Sequence, residues 1–167
     1  MDAQGVDLPI GGIFAVIAQN VFTEGPADLV DTFFGVNTYT PPNIPVPGNE
    51  EMLAFIEESG NAEYAEKSTN TNFVTGWVIA KLAVEGIRRA AETRSITRDS
   101  LAAALDALSG FDTGGQSPVL DCTRPGHHCG AVARPYTWDG TQLVAVGEYE
   151  DWVDALDFEY GLFTPTS

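Results

Sequence analysis

The strongest hydrophobic pattern in the chain lies between Phe73 and Gly115, where it predicts two helices followed by a glycine-rich loop. In the first helix, apolar residues recur at spacings of three and four, which places on one face Phe73, Trp77, Ala80, Val84, Ile87 and Ala91. The second helix begins at Thr97, whose side chain can cap the free amide groups of the first turn. Ser109 and Gly110 end this helix, and its apolar stripe consists of Leu101, Leu105 and Leu108.

The N-terminal third of the chain predicts two strands and a helix. A short apolar run over residues 8–10 ends in Gly11 and Gly12, a pattern typical of a strand that leads into a tight loop. A helix is predicted for residues 13–22. Aromatic and β-branched residues predict a second strand over residues 32–39.

A proline-rich connector and a second helical region come next. Residues 41–47 contain four prolines, which cannot enter a central strand because proline lacks an amide donor. Asn49 is expected to cap an acidic helix over residues 49–59 that Gly60 closes. The apolar residues of this helix predict its buried side, which comprises Met52, Leu53, Phe55 and Ile56. Residues 61–72 are interpreted as a polar stretch that leads into the long helix.

The C-terminal part of the chain is predicted to contain strands. A short strand is expected over residues 118–120, and longer ones over residues 132–138 and 142–146. Asp139-Gly140 between the longer strands indicates a hairpin with a type I′ turn. The acidic tail beyond Val146 is predicted to form a short docked helix.

The charge of the chain is strongly negative and uneven. Its 167 residues carry a formal net charge of -16, and Lys67 is the first basic residue. Such a surface repels phosphate backbones, so the sequence predicts no nucleic-acid partner. No apolar run approaches the ~20 residues that span a bilayer. The N-terminus lacks the basic region that begins a signal peptide.

The two cysteines and two histidines form the one compact group of candidate ligands. Cys122, His127, His128 and Cys129 lie within eight consecutive residues. A disulfide, a pair of free thiols and a metal site are three interpretations of this spacing, and the disulfide is favoured over a metal. The sequence contains no nucleophile elbow, zinc-protease helix or phosphate loop. It therefore predicts no catalytic residue, no metal site and no cofactor.

Taken in order, these elements resemble one known family. Residues 33–152 resemble the C-terminal part of the type 1 periplasmic binding proteins, in the leucine/isoleucine/valine-binding-like branch that serves ABC transporters for branched-chain amino acids, amides and urea. The features that match are Leu8 to Gly12, Gly35-Val36, Gly76-Trp77 to Ala90, Thr97 to Leu105, Phe111 to Gly115, His127-His128 and Asp139-Gly140.

The resemblance implies an α/β fold of two Rossmann-like lobes joined by three crossovers, with the ligand held between them. This chain would hold only the last part of that fold, with a C-terminal β-hairpin. Residues 1–39 would end the second lobe, residues 40–115 would form a crossover and first-lobe helices, and residues 116–167 would supply the final strands, the hairpin and the acidic tail. Met1 would then be an internal residue of a longer parent protein, truncated or decayed.

The resemblance also implies positions for a ligand. Family members that bind amino acids place an acidic residue after the glycine-rich strand, and many place a tyrosine at the start of the long helix. This sequence has Gly12, Ile13 and Phe14 at the first position and Phe73 near the second. These four are the candidate ligand-binding residues. A zwitterion is disfavoured, and the expected solute is small and neutral or apolar, in the class of branched-chain amino acids, amides and related molecules.

The function expected from this resemblance is that of a non-enzymatic substrate-binding component of an ABC importer. Its partners would be the solute, the permease subunits, and a missing N-terminal lobe or a second copy of the chain that covers exposed apolar faces. The parent protein would be extracytoplasmic. A ligand-sensing receptor with the same fold and a small zinc-dependent enzyme are the alternatives.

Overall fold

The computed structural model describes residues 10–13, 22–23, 33–123, 129–130 and 132–151. It is a mixed α/β structure. The strands are β1 (Ile10–Ile13), β2 (Phe33–Asn37), β3 (Val132–Trp138), β4 (Leu143–Ala145) and β5 (Glu150–Asp151). The helices are α1 (Pro47–Ser59), α2 (Ala62–Lys67), α3 (Thr71–Glu92) and α4 (Arg98–Asp106). Most of residues 13–22, where a helix was predicted, lie outside the described residues, as does the tail beyond Asp151.

The strands form one sheet in the order β1-β2-β3-β4, and β5 also pairs with β3. β1 runs parallel to β2, whereas the other pairs are antiparallel. Gly11 and Gly12 lie inside β1, opposite Phe34 and Gly35 of β2, so the prediction that they form a loop is wrong. A partner strand holds the glycine pair extended, and nothing in the local sequence reveals that partner.

The hairpin between β3 and β4 is confirmed, but its turn differs from the prediction. The amide of Asp139 donates to the carbonyl of Gln142 at 3.1 Å, and the Asp139 carboxylate accepts from the amides of residues 141 and 142. Gly140 has a φ of 95°, whereas Thr141 has no positive φ. A type I′ turn requires positive φ at both central residues, so this turn is not of that type.

Two separate apolar clusters stabilise the fold. The sheet core lies on one face of the sheet and consists of Phe22, Phe33, Tyr136 and Leu143, with Ile44, Trp138 and Ala145 against it. The helical core lies between α1, α3 and the segment around residue 120, and consists of Met52, Ile56, Val74, Val78 and Leu120. Residues 118–120 form no strand, but Leu120 makes an isolated antiparallel bridge with Phe111.

Helix α1 begins earlier than Asn49. Pro47 occupies the first turn, where its missing amide costs nothing, and Val46 precedes the helix without a side-chain cap. Asn49 is buried inside the helix and donates to the carbonyls of Pro41 and Ile44, each at 2.9 Å. The prediction of an Asn49 cap is therefore wrong, because the side-chain amide of Asn49 donates its hydrogen bonds to carbonyl groups of the proline-rich connector instead. Gly60 closes the helix with a φ of 62°, as predicted.

The polar stretch before α3 contains a helix that the sequence analysis missed. Asn61 caps α2 by accepting from the amides of Glu63 and Tyr64 at 3.0 and 3.3 Å. Glu63 also forms an ion pair with Lys67 one turn later. A side-chain cap and an i,i+4 pair were both present in the sequence, so this helix could have been predicted.

Helix α3 buries its neighbouring face most deeply, and of the predicted stripe Phe73 and Trp77 pack against the helical core. Its buried residues are Thr71, Val74, Val78, Gly86 and Ala90, whereas Val84 and Ile87 are 65% and 45% exposed. The helix carries two apolar stripes, and the one with smaller residues packs inward because Gly86 admits leucines from α4. A Cβ at Gly86 would lie only 2.7 Å from Leu105 Cδ2. Long-range packing, rather than periodicity, selects the face.

Helix α4 begins as predicted. The Thr97 hydroxyl accepts from the Ser100 amide at 3.1 Å, and the Ser100 hydroxyl accepts from the Thr97 amide at 2.9 Å, which together form a capping box. The helix ends at Asp106, and the fully buried Leu108 follows it. Among the described residues, no helix is both long and apolar enough to cross a membrane.

A disulfide joins Cys122 to Cys129 with an S–S distance of 2.08 Å. This confirms the favoured interpretation of the cysteine spacing. Backbone hydrogen bonds flank the bridge, because the Asp121 amide donates to the Cys129 carbonyl and the Cys122 amide donates to the Leu108 carbonyl, at 2.9 and 2.8 Å. The bond occupies both sulfurs, which leaves neither available as a thiolate ligand.

Candidate functional site

The glycine-rich loop of residues 111–117 packs against the first turn of α1. Gly114 and Gly115 both have positive φ, 73° and 81°, which turns the loop back towards the helix. The Gly48 amide donates to the Gly114 carbonyl at 2.8 Å. Inside the loop, the Ser117 amide donates to the Thr113 hydroxyl at 2.8 Å. The loop is therefore fixed both to itself and to the helix.

A buried pair of amides joins this loop to the proline-rich connector. Gln116 is fully buried and donates through Nε2 to Asn49 Oδ1 at 3.2 Å. Asn49 in turn donates to the connector carbonyls described above. Gln116 Oε1 has no hydrogen-bond partner among the described residues. A buried polar atom without a hydrogen-bond partner lowers the stability of a fold. The unpaired oxygen of Gln116 therefore makes this loop a candidate functional site.

Thr40 joins the end of β2 to the same loop. Its amide donates to the Gln116 carbonyl at 2.8 Å, and its hydroxyl donates to the Gly115 carbonyl at 2.7 Å. Because the Thr40 hydroxyl hydrogen is used in that bond, the hydroxyl accepts from Tyr149 Oη, which lies 2.8 Å away. We refer to this cluster as the polar junction, which comprises Thr40, Gln116, Tyr136 and Tyr149.

Tyr136 is the fully buried aromatic residue of the polar junction. It lies on β3 opposite Gly35 of β2. The Thr40 and Tyr149 hydroxyls lie near its hydroxyl, but strict hydrogen-bond geometry pairs neither this hydroxyl nor Asn37 Nδ2 with a described residue. Burial, reinforced by the nearby Tyr149, raises the pKa of Tyr136 well above its usual value. Tyr136 therefore stays protonated at alkaline pH values where an exposed tyrosine would already have lost its proton.

The Tyr136 environment predicts a loss of stability at high pH. In the unfolded chain tyrosine loses its proton near pH 10, whereas the folded chain retains it, so unfolding becomes more favourable as pH rises above 10. Each further pH unit costs up to ~1.4 kcal/mol while the folded group stays protonated. Urea unfolding between pH 8 and 11.5 should show this loss in the wild type and much less of it in Tyr136→Phe.

The matched control for this prediction is Tyr64→Phe, because Tyr64 is an exposed tyrosine. It should keep the wild-type dependence on pH. Tyr136→Phe removes a buried hydroxyl without a described partner, and its stability at pH 8 should stay within about 1 kcal/mol of the wild type. Equal slopes in the two variants above pH 10 would contradict the assignment.

An apolar groove runs along the outer side of α3. It consists of two adjoining hollows of about 430 Å³ each that share Trp77 and Ala80. We refer to it as the outer groove, and its lining includes Phe55, Tyr64, Phe73, Gly76, Trp77, Ala80, Val84 and Phe111. The Phe55 and Trp77 rings lie 5.3 Å apart, and the Tyr64 and Phe73 rings 6.2 Å apart.

Ion pairs neutralise the charged rim of the outer groove. Lys81 contacts Glu51 at 2.7 Å, and Glu85 accepts from Arg88 and Arg89 at 2.7–2.8 Å. The hydrogen bonds from Arg88, then those from Arg89, lower the pKa of Glu85 to about 2. Arg88 also contacts Glu92 at 2.7 Å, so three basic and three acidic side chains balance along the rim, and the groove presents an apolar surface without a net charge of its own.

The four predicted ligand-binding residues fall in different parts of the structure. Gly12 and Ile13 lie on β1, and Gly12 is half-buried opposite Gly35. Phe14 lies outside the described residues. Phe73 lies on α3, against the helical core and within the outer groove. Their role as one ligand-binding set stays a prediction.

Sequence reasoning did not identify the polar junction. Its members come from four segments, and Thr40 and Tyr149 are 109 residues apart. Their local signals were weak, since a threonine after a strand or a glutamine in a glycine-rich loop has many ordinary roles. The one usable signal was the Phe111 to Gly115 motif itself, which predicted a loop of special conformation but not its partners.

Comparison with known proteins agrees with this arrangement of sheet, helical pair and loop. No protein-family model and no curated protein matches the sequence. A branched-chain amino acid ABC transporter protein from Thermus thermophilus, solved with bound valine, superposes with a TM-score of 0.71. It is 18% identical, and the match covers 96% of this chain and 44% of that chain. The chain has part of the type 1 periplasmic binding protein fold.

Two further solved structures have this fold. A fatty acid ABC transporter substrate-binding protein from Thermomonospora curvata matches with a TM-score of 0.71 and 20% identity, over 90% of this chain and 38% of that chain. A substrate-binding protein of an ABC transporter from Aeropyrum pernix matches with a TM-score of 0.69 and 19% identity, over 89% and 39% of the two chains. The chain therefore spans less than half the length of the structures it matches.

Proposed function

We propose that the chain is part of the substrate-binding component of an ABC importer, and that it binds a small solute between two lobes without chemical conversion. The observation that carries this proposal is the fold, because three matched structures of TM-score 0.69–0.71 belong to ABC transporter proteins. Similarity of fold alone does not fix a function. Further support has to come from the chain's own residues.

The two cores and the polar junction support a two-lobed arrangement. In this proposal, residues 1–39 and the strands from Val132 onwards contribute the sheet core to one lobe, and residues 40–123 contribute the helical core to the other. The chain leaves the sheet near Thr40 and returns to it before β3. The Thr40 hydroxyl lies 2.8 Å from Tyr149 Oη, so the first crossing contacts the segment that follows β4, and two such crossings can act as a hinge around which the lobes close on a ligand.

The proposed solute is small and neutral or apolar. The candidate cleft residues Gly12, Ile13, Phe14 and Phe73 bring no charged group that could pair with an ammonium or a carboxylate. The matched structures are named for branched-chain amino acids and for fatty acids, which share an apolar body. Those names belong to the other proteins, and for this chain they define only the panel to test. The parent protein would work outside the cytoplasm with permease subunits.

The proposal is tested on the protein isolated from its own cells with an antibody against this chain. Native mass spectrometry gives the intact mass and identifies any bound solute. Calorimetry with valine, leucine, acetamide, urea and a medium-chain fatty acid then measures affinity. We expect saturable binding of one neutral or apolar member at one solute per protein. Protein without bound solute and without heat from any panel member would refute the proposal.

A pair of variants locates the site. Gly12→Val fills the half-buried position on β1, and binding should weaken at least tenfold if Gly12 contributes to the cleft. Thr141→Val, at the exposed tip of the hairpin, serves as the control and should leave the affinity unchanged. Unchanged binding in both variants would remove Gly12 from the site while leaving the transport function in place.

A further inference from the structure

A hollow of about 440 Å³ lies between the C-terminal end of α3 and α4. Its apolar lining consists of small side chains, which are Ala90, Ala103, Ala104 and Ala107. Ala90 is fully buried, whereas Ala103 and Ala107 are exposed, so the hollow opens to solvent along α4. Small side chains on both walls leave room for large apolar side chains of another segment to pack between the helices.

Two basic side chains lie at one end of the hollow. Thr93 and Ser100 line this end, and the turn between them carries Arg94 and Arg98, which are both exposed. The ion pairs of the described residues include neither arginine. With Asp99 as the one acidic residue, the turn has a net charge of +1 in a chain whose net charge is -16. This end of the hollow can therefore attract an acidic segment.

The C-terminal segment of the same chain has the complementary composition. We refer to residues 152–167 as the tail segment, and they lie outside the described residues. The segment has no basic residue, and its acidic residues are Asp154, Asp157 and Glu159. Trp152 and Leu156 are four residues apart, a spacing that places both on one side of a helix. Acidic C-terminal segments of this kind often bind to another surface.

The described backbone brings the start of the tail segment close to the hollow. Asp151 in β5 pairs with Val132 of β3, which lies three residues after Cys129 of the disulfide. The amide of the other cysteine, Cys122, donates to the carbonyl of Leu108, which directly follows the last lining residue of the hollow. These contacts place Asp151 within about 30 Å of Leu108, whereas sixteen extended residues span about 50 Å.

We propose that the tail segment docks in the hollow between α3 and α4. Its large apolar side chains pack against the alanines, and its acidic side chains face Arg94 and Arg98. The docked segment runs from β5 in the sheet to the helical pair, and so connects the part of the chain that holds the sheet core to the part that holds the helical core. Because the segment is tethered beside the hollow, a contact of modest strength is sufficient.

The test compares the 167-residue chain with a variant that ends at Asp151. Hydrogen exchange, measured by mass spectrometry, reports the protection of α4. We expect residues 98–108 to exchange about fivefold faster in the shortened chain, because the docked segment covers one side of this helix. Helix α1, which does not line the hollow, is the internal reference and should exchange equally in both chains. Equal exchange of α4 in the two chains would overturn the inference.

A charge reversal separates docking from the properties of α4 itself. Arg98→Glu places a negative charge in the first turn of α4, where the helix dipole alone would stabilise the helix and slow its exchange. In the full-length chain the new carboxylate also repels the tail segment, so we expect α4 to exchange faster. In the chain that ends at Asp151 the same substitution should slow the exchange or leave it unchanged. Slower exchange in both chains would contradict the docking.

A matched pair of variants locates the contact on α4. Ala102 and Ala103 are both exposed, but only Ala103 lines the hollow. Ala103→Leu should displace the tail segment, so that a glutamate-specific protease cleaves after Glu159 several times faster than in the wild type. Ala102→Leu should leave the cleavage rate unchanged. Equal cleavage in the wild type and both variants would place the tail segment elsewhere and overturn the inference.

Dilution tests whether the docked segment belongs to the same copy of the chain. Each copy carries a formal net charge of -16, so two copies repel one another. We therefore expect the protection of α4 to be the same at low and high protein concentration. Protection that disappears on dilution would assign the docked segment to a second copy and would overturn the inference.

Discussion

Replacing Gly48 with alanine is expected to destabilise the chain by about 3 kcal/mol. A Cβ at this position would lie 2.3 Å from the Thr113 carbonyl oxygen and 2.6 Å from Gln116 Cγ. The first of these atoms belongs to the backbone, so it cannot move away by a simple change of rotamer. Helix α1 cannot move away from the loop without breaking the hydrogen bond from the Gly48 amide to the Gly114 carbonyl.

The expected damage extends beyond the local clash. To make room for a methyl group, the loop of residues 111–117 must shift, which weakens the bond from Gln116 to Asn49 and the two bonds from Thr40 to the loop. Each such bond contributes about 1 kcal/mol. Urea unfolding, monitored by tryptophan fluorescence, should show this loss of stability as a lower urea concentration at the midpoint.

Gly76→Ala is the control for this experiment. The same substitution in open space on an exposed helix should stabilise the chain by up to about 1 kcal/mol. Opposite effects of one substitution at two helical glycines would show that packing against the loop, and not helix propensity, requires Gly48. A Gly48→Ala variant as stable as the wild type would contradict the close contact with Thr113.

Features determined by neighbouring residues could be predicted from the sequence. The Thr97 cap, the Gly60 helix end and the Asp139-Gly140 hairpin were found because each depends on hydrogen bonds or dihedral angles within a few residues. The fold class followed from the order of such elements and from the resemblance. A disulfide across seven residues is also local, and the spacing of Cys122 and Cys129 favoured it correctly.

Features determined by distant partners could not be predicted. Asn49 could cap a helix or bridge a connector, and the carbonyls of Pro41 and Ile44 decide the outcome. The buried face of α3 depends on leucines from α4 that enter the space at Gly86. The glycine pair of β1 becomes a strand because β2 lies beside it. Periodicity contains none of this information.

The candidate site illustrates the same limit. The polar junction joins residues that are far apart in sequence and individually unremarkable, so only the three-dimensional contact between Thr40, Gly115 and Tyr149 identifies it. The outer groove, in contrast, was visible in the sequence as the stripe from Phe73 to Ile87. The stripe was identified correctly as apolar, and Phe73 and Trp77 pack against the helical core, whereas Val84 and Ile87 are exposed.

Met52→Ala is expected to cost about 3 kcal/mol, whereas Leu53→Ala should cost less than about 1 kcal/mol. The two residues are adjacent on α1, and the sequence analysis placed both on its buried side. Met52 is fully buried in the helical core, with its sulfur 3.9 Å from Gln116 Nε2, whereas Leu53 is 41% exposed. The alanine at position 52 leaves a cavity between α1, α3 and the loop, which the rigid Gln116 and Asn49 pair prevents from collapsing.

Urea unfolding of the two variants under identical conditions measures this difference. Both substitutions introduce alanine into the same helix, so helix propensity contributes almost equally and cancels in the comparison. The midpoint should fall sharply for Met52→Ala and only slightly for Leu53→Ala, with similar dependence on urea in both. Equal losses would mean that Leu53 is buried as deeply as Met52, and the orientation of α1 against α3 would then have to differ from the one described.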